Sequence, residues 1–108
     1  FNEWWEFPFH LVHLLNKDQF GIQGSYMKGY GSAELSKLGA GLATCELYWN
    51  DPSLGTFYAV HTGVACLAIY MLGNEDQKKR YLEKGIIHES HYSFALTEKD
   101  VGSDATSI

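Results

Sequence analysis

Phe94-Ala-Leu-Thr-Glu-Lys-Asp-Val-Gly-Ser-Asp104 decides how this chain is read. Apolar residues run from Phe94 to Leu96, and within one residue they give way to Thr97, acids and the pair Gly102-Ser103. The pattern predicts a strand beginning at Ser93 that enters a loop. Hydroxyls at Thr97 and Ser103, with permissive backbone at Gly102, can present several donors to one polar, anionic ligand. Spacing alone does not separate such a loop from a surface turn between two elements.

The stretch resembles the flavin-binding signature of the acyl-CoA dehydrogenase and oxidase family. That signature is a Leu/Val-Thr-Glu-Pro core, two variable residues and Gly-Ser-Asp; Leu96, Thr97, Glu98, Gly102, Ser103 and Asp104 match it. Lys99 stands where the family has proline, and without proline's fixed φ a less rigid turn is expected. The resemblance implies FAD as cofactor, with Phe94, Ala95, Leu96, Thr97, Gly102 and Ser103 against it. Thr97 would hydrogen-bond the flavin's pyrimidine edge, where negative charge accumulates on reduction. Gly102 and Ser103 would meet the phosphate side, and Ser103 would also touch acyl-CoA.

Upstream, Asn74 and Gln77 form a capping-box pair at a helix start. Glu75-Asp76 in the first turn and Lys78-Lys79-Arg80 further on follow the helix dipole, so the basic run reads as a solvated helix face. Gly73 to Leu82 resembles the family's Gly-Thr/Ser-Glu-Glu-Gln-Lys-x-Lys-Tyr-Leu, and Gly85 is the expected stop. Before it, Asp51-Pro52 predicts a capped helix whose continuation, Ser53 to Gly73, has no Asp, Glu, Lys or Arg. The run is long enough to cross a bilayer, but His61 lies mid-run among Thr56, Thr62, Gly55 and Gly63, so a helix buried among other helices is expected. Val60-His61-Thr62 resembles the family's Val-His-Ser/Thr, which walls the acyl pocket. Glutaryl-CoA dehydrogenases carry an arginine at the position of Gly55 that pairs with a distal carboxylate. Glycine cannot, so the resemblance implies a monocarboxylic acyl chain. Thr56 matches an adjacent serine and is a candidate substrate contact; the alternative is a helix threonine bonded to its own backbone.

Gly21, Gly24, Gly29 and Gly31 punctuate a polar loop that lacks a dinucleotide fingerprint. Met27-Lys28-Gly29-Tyr30-Gly31-Ser32 resembles the Ile-Lys-Gly-Tyr-Gly-Cys of the glutaryl-CoA dehydrogenase branch and of plant short-chain acyl-CoA oxidases, as does Glu6 to His10 in the latter. Ser32 is placed to cap a helix with Glu34 in its first turn. Leu35, Leu38, Leu42, Cys45 and Trp49 give that helix one apolar stripe. At the start, Trp4, Trp5, Phe7 and Phe9 surround Pro8, and a helix is expected from there to Asp18. His10 and His13, like His88 and His91, are three apart, which keeps open a histidine metal site.

A chain of 108 residues, 45% hydrophobic and 15% aromatic, is a single domain's length and not disordered. A net charge of −5 gives no electrostatic case for nucleic acid or an anionic membrane surface. Two cysteines, Cys45 and Cys66, sit in apolar helical patterns and suit a reducing intracellular compartment. The expected fold is mainly α. Residues 1–91 form the N-terminal helical domain of the acyl-CoA dehydrogenase fold, and residues 92–108 begin its middle β domain with the flavin-binding loop. The resemblance further implies α,β-desaturation of an acyl-CoA, a catalytic glutamate outside these residues and a homotetramer. It leaves mitochondrial matrix, peroxisome and bacterial cytoplasm open. The rival expectations are a small helical interaction module docking through Phe1 to Phe9, and the histidine metal site. The module predicts a stable monomer with a well-covered core; the family predicts large exposed apolar patches.

Overall fold

The computed structural model describes residues 6–107, so Trp4 and Trp5 and most of the proposed docking surface lie outside the described residues. Helix α1, Phe9–Val12, continues as a 3-10 turn, His13–Leu15, and ends there rather than at Asp18. Helix α2 spans Lys37–Asn50, α3 spans Pro52–Leu72, and α4 covers residues 75–86. No strand is present among the described residues; the strand expected at Ser93 has no partner to form a ladder with.

Asp51 caps α3 as the sequence predicts, its carboxylate accepting from the amides of Ser53 and Leu54 at 2.9 and 3.1 Å. The capping box at Asn74 and Gln77 is complete, with both bonds at 2.9 Å. Ser32 caps nothing. Glu34 has φ +53, which no helix accommodates, and its carboxylate accepts from the Gly29 amide at 2.8 Å. The helix therefore starts later, where Ser36 accepts from the Gly39 amide at 2.9 Å.

Two buried clusters hold the helices together. Met27, Cys66, Leu82 and Ile86 pack between the glycine loop, α3 and α4; Val12, Leu15 and Tyr58 pack between α1 and α3. The Tyr58 hydroxyl donates to the Ile22 carbonyl at 2.7 Å, and the Asn16 amide side chain donates to the Ile87 carbonyl at 2.8 Å. Gly55 is required by close approach of α2 and α3: a Cβ there would lie 2.8 Å from Tyr48 Cγ.

The apolar stripe of α2 points outward. Leu38 is 74% and Trp49 88% exposed, and on α3 Leu72 is 86% exposed. Cys45, in the same apolar helical pattern where a free thiol would be expected to bury, is exposed with them, while Cys66 is buried. A self-sufficient module would cover such surface, so the exposure favours a domain packed against further structure.

Candidate flavin-binding segment and its supports

Helix α3 is not α-helical throughout. His61–Cys66 forms a π-helical turn, buried at His61, Thr62, Ala65 and Cys66. His61 is 1% exposed. Its Nε2 lies 2.8 Å from the Gly85 carbonyl oxygen, and its Nδ1 accepts from the Tyr92 amide at 3.0 Å. A carbonyl can only accept and an amide N–H only donate, so the ring is the neutral tautomer protonated on Nε2. Burial lowers its pKa, in keeping with the neutral form. The ring stacks on Phe57, with centroids 5.4 Å apart and planes inclined by 3°.

Gly85 does not end α4, which runs to Ile86; the left-handed residue beyond is His88, with φ +61. Gly85 is needed inside the helix, because a Cβ would lie 2.5 Å from Tyr92 Cε2 and 3.1 Å from Cys66 Sγ. The Tyr92 hydroxyl donates to the Tyr81 carbonyl at 3.0 Å. His88 is buried with no partner for either ring nitrogen among the described residues, and burial, aided by His61 and His91, pushes its pKa down to about 4. The ring centroids of His88 and His91 lie 5.0 and 6.0 Å from that of His61. Among the described residues no group of three or more His, Cys, Asp or Glu is arranged to hold a metal. Both His61 nitrogens are already committed, and His10 and His13 are exposed at the other end of the chain.

After Tyr92 the chain leaves the bundle. Phe94, Ala95, Leu96, Thr97, Gly102 and Ser103 are all exposed. No polar group from Ser93 to Thr97 bonds to the described residues. Such a row of free donors and acceptors fits a polar cofactor or an adjoining strand. The amide and carbonyl of Glu98 exchange hydrogen bonds with those of Val101 at 3.0 and 3.3 Å, closing the turn about Lys99 without a proline. Gly102 does not adopt positive φ. The Asp104 carboxylate accepts from the hydroxyls of Thr106 and Ser107, which draws the end of the loop into a 3-10 turn and lowers the acid's pKa.

Two open cavities border each other at the start of this segment, sharing His91, Tyr92 and Ser93. One, of about 740 Å3, is walled by Ala68, Ile69, Leu72 and Tyr81 and reaches Ser93 and Phe94. The other, of about 340 Å3, lies between Phe7, Phe9, Thr56 and Val60 and also reaches Ser93. Thr56 thus borders a cavity, but its hydroxyl donates to the Pro52 carbonyl at 2.9 Å, leaving only its lone pairs for a ligand. His61, Gly85 and Tyr92 are the supports that sequence reasoning did not assign. Their signal was a lone imidazole in an uncharged run, which must find hydrogen-bond partners once buried.

Helix α3 is long and apolar enough to cross a membrane, and its midpoint is bonded through His61 to α4 and Tyr92.

Residues 1–88 match the sequence profile of the family described as acyl-CoA dehydrogenase, N-terminal domain. A probable acyl-CoA dehydrogenase of Bacillus subtilis (strain 168) is 37% identical over 98 residues, covering 89% of this chain and 16% of that protein. A second acyl-CoA dehydrogenase of the same organism is 35% identical over 104 residues, covering 95% of this chain and 27% of the relative. The chain therefore spans 16 to 27% of the length of these curated relatives. Among solved structures, a glutaryl-CoA dehydrogenase from Mycobacterium smegmatis in complex with FADH2 superposes with a TM-score of 0.84 at 30% identity, covering 94% of this chain and 26% of that one. The helical architecture, the profile match and these relatives agree: the chain belongs to the acyl-CoA dehydrogenase N-terminal domain family.

Proposed function

We propose that this chain is the helical domain and first flavin-binding segment of an enzyme that removes two hydrogens across the α and β carbons of a short-chain, monocarboxylic acyl-CoA. The observation that carries the reading is the exposed segment Ser93–Thr97, unbonded to the rest of the described residues, which starts at Ser93 where two cavities border each other at the end of the bundle. When bound, FAD would accept the hydride lost from the acyl β carbon. On this chain, Thr97 would offer its hydroxyl to the flavin's pyrimidine edge, and Phe94, Ala95 and Leu96 would offer backbone and apolar contact. Gly102 and Ser103 would meet the phosphate side, with Ser103 also against acyl-CoA.

Substrate scope rests on Gly55. It offers no cation for a distal carboxylate, and Tyr48 fills the space beside it. The glutamate base that takes the α proton would come from outside these residues, as would the rest of the flavin site. Residues 1–108 alone would therefore show no turnover and hold FAD weakly. The boundary between the helical domain and the β domain falls at residues 91 and 92, where the chain leaves Tyr92's tethers. The exposed faces of α2 and α3 would be covered by the remaining domains and by other subunits of a homotetramer. Free Cys45 and Cys66 suit a reducing intracellular compartment.

The test is the visible spectrum of the full-length protein before and after adding butyryl-CoA without oxygen. Bleaching of a bound-flavin spectrum is expected, and the rate at which colour returns in air distinguishes oxidase from dehydrogenase. A colourless protein that takes up no FAD refutes the reading.

A further inference from the structure

Between Tyr92 and Thr97 the chain makes no hydrogen bond to the described residues except at Tyr92 itself. The direction in which the flavin-binding segment leaves the bundle is therefore set where Tyr92 is held. Its ring stacks on that of His61, with centroids 5.8 Å apart, and packs against the Cys66, Leu82 and Ile86 cluster; three further contacts hold it. Its amide donates to His61 Nδ1, its hydroxyl donates to the Tyr81 carbonyl, and its ring lies against Gly85, where any side chain would collide. The hydroxyl tether acts at the far end of a side chain, whereas the amide tether acts on the backbone whose course matters.

His61 is itself held from both sides. Nε2–H donates to Gly85, whose carbonyl also accepts from the His88 amide at 3.1 Å, and Phe57 stacks on the ring. One rigid imidazole thus joins the π turn of α3, the end of α4 and the start of the segment. Its two nitrogens need opposite roles, donor toward Gly85 and acceptor toward Tyr92. An apolar ring of similar shape would keep the stack and lose both.

We infer that His61 is the positioning residue for flavin binding: by accepting from the Tyr92 amide while donating to Gly85, it aims Ser93–Thr97 at the cofactor. The inference rests on the flavoprotein reading above. If the wild-type full-length protein binds no FAD, it is that reading which fails, before any variant is made.

The experiment compares H61F and H61Q with wild type in the full-length protein. Glutamine carries one donor and one acceptor and can serve both partners; phenylalanine keeps only the stack. H61F is expected to bind FAD about tenfold more weakly, the loss of roughly one net hydrogen bond's worth of alignment, and to shift the flavin's visible absorption. H61Q is expected to return both toward wild type. A merely structural role would lower the melting temperature of both variants and leave the bound flavin's spectrum unmoved. Wild-type affinity and spectrum in H61F, or a folded H61Q as impaired as H61F, would overturn the inference. Should H61F not fold, hydrogen exchange in the wild-type protein decides. The Tyr92 amide is expected to be protected, and exchange as fast as at the exposed Thr97 overturns the inference.

Discussion

Replacing Gly55 with alanine tests both the packing of α2 on α3 and the reading of substrate scope. In an exposed helix interior the change would gain about 1 kcal/mol of helix propensity. Here the new Cβ would lie 2.8 Å from Tyr48 Cγ, 2.9 Å from Cδ2 and 3.1 Å from Cδ1. Carbon atoms in good contact sit about 3.5–4.0 Å apart, so a shift of several tenths of an ångström is forced. Cγ is the root of the ring, and it moves only if Tyr48 turns about its first side-chain torsion or the helices separate. Overpacking of this kind costs about 1–3 kcal/mol, which exceeds the propensity gain and leaves a net loss of about 1 kcal/mol. Urea unfolding followed by circular dichroism should show that loss for G55A, and Y48A should abolish it. The coupling energy in the G55A/Y48A cycle is then about 1 kcal/mol or more. An arginine carries the same Cβ, so G55R should not turn over glutaryl-CoA. A G55A protein at least as stable as wild type, or strict additivity in the cycle, would refute the packing argument; glutaryl-CoA turnover by G55R would show that Tyr48 yields to a side chain there and that the missing cation alone sets the scope.

Cys45 is exposed on these 108 residues, whereas burial raises the Cys66 pKa to about 12, so a maleimide at pH 8 should label one of these two thiols in folded residues 1–108 and both in urea. His88 titrates near 4 when folded against about 6.5 unfolded, so the unfolded chain binds more protons between those values. Stability should be complete above pH 6.5 and fall as the pH drops toward 4. The fall is at most about 3 kcal/mol from this group, and denaturant titrations of wild type and H88N at pH 7 and pH 5 should differ accordingly. Asp51→Ala removes both bonds to the Ser53 and Leu54 amides and should cost about 1 kcal/mol, read as a lower urea midpoint.

Local signals were legible where one residue type does one job. Asp51-Pro52 and Asn74 with Gln77 mark helix starts in the sequence, and the structure has them there. Ser32 misled because a cap also requires the following backbone to be helical, and Glu34 instead turns back to bond Gly29. The stripe from Leu38 to Trp49 was legible as a stripe but not as a surface, since periodicity says which residues share a face and not what that face meets. Motif matches brought the candidate flavin segment into view, yet its supports escaped them. His61, Gly85 and Tyr92 come from three separated stretches, and only folding shows that a glycine resembling a helix stop is a seat for a tyrosine ring.

The π turn at His61–Cys66 amounts to one residue inserted into a helix of 3.6 residues per turn, a phase step of about 100°. Residues ahead of it, Thr56 and Val60, border one cavity, and residues after it, Ala68, Ile69 and Leu72, border the other. A single helix therefore presents two walls offset from one another by that step. Substitutions at Thr56 or Val60 act directly on one chamber, and reach the other only through the shared border at His91, Tyr92 and Ser93. Deleting a single residue within the turn would rotate one wall away from its chamber while leaving every side chain chemically unchanged.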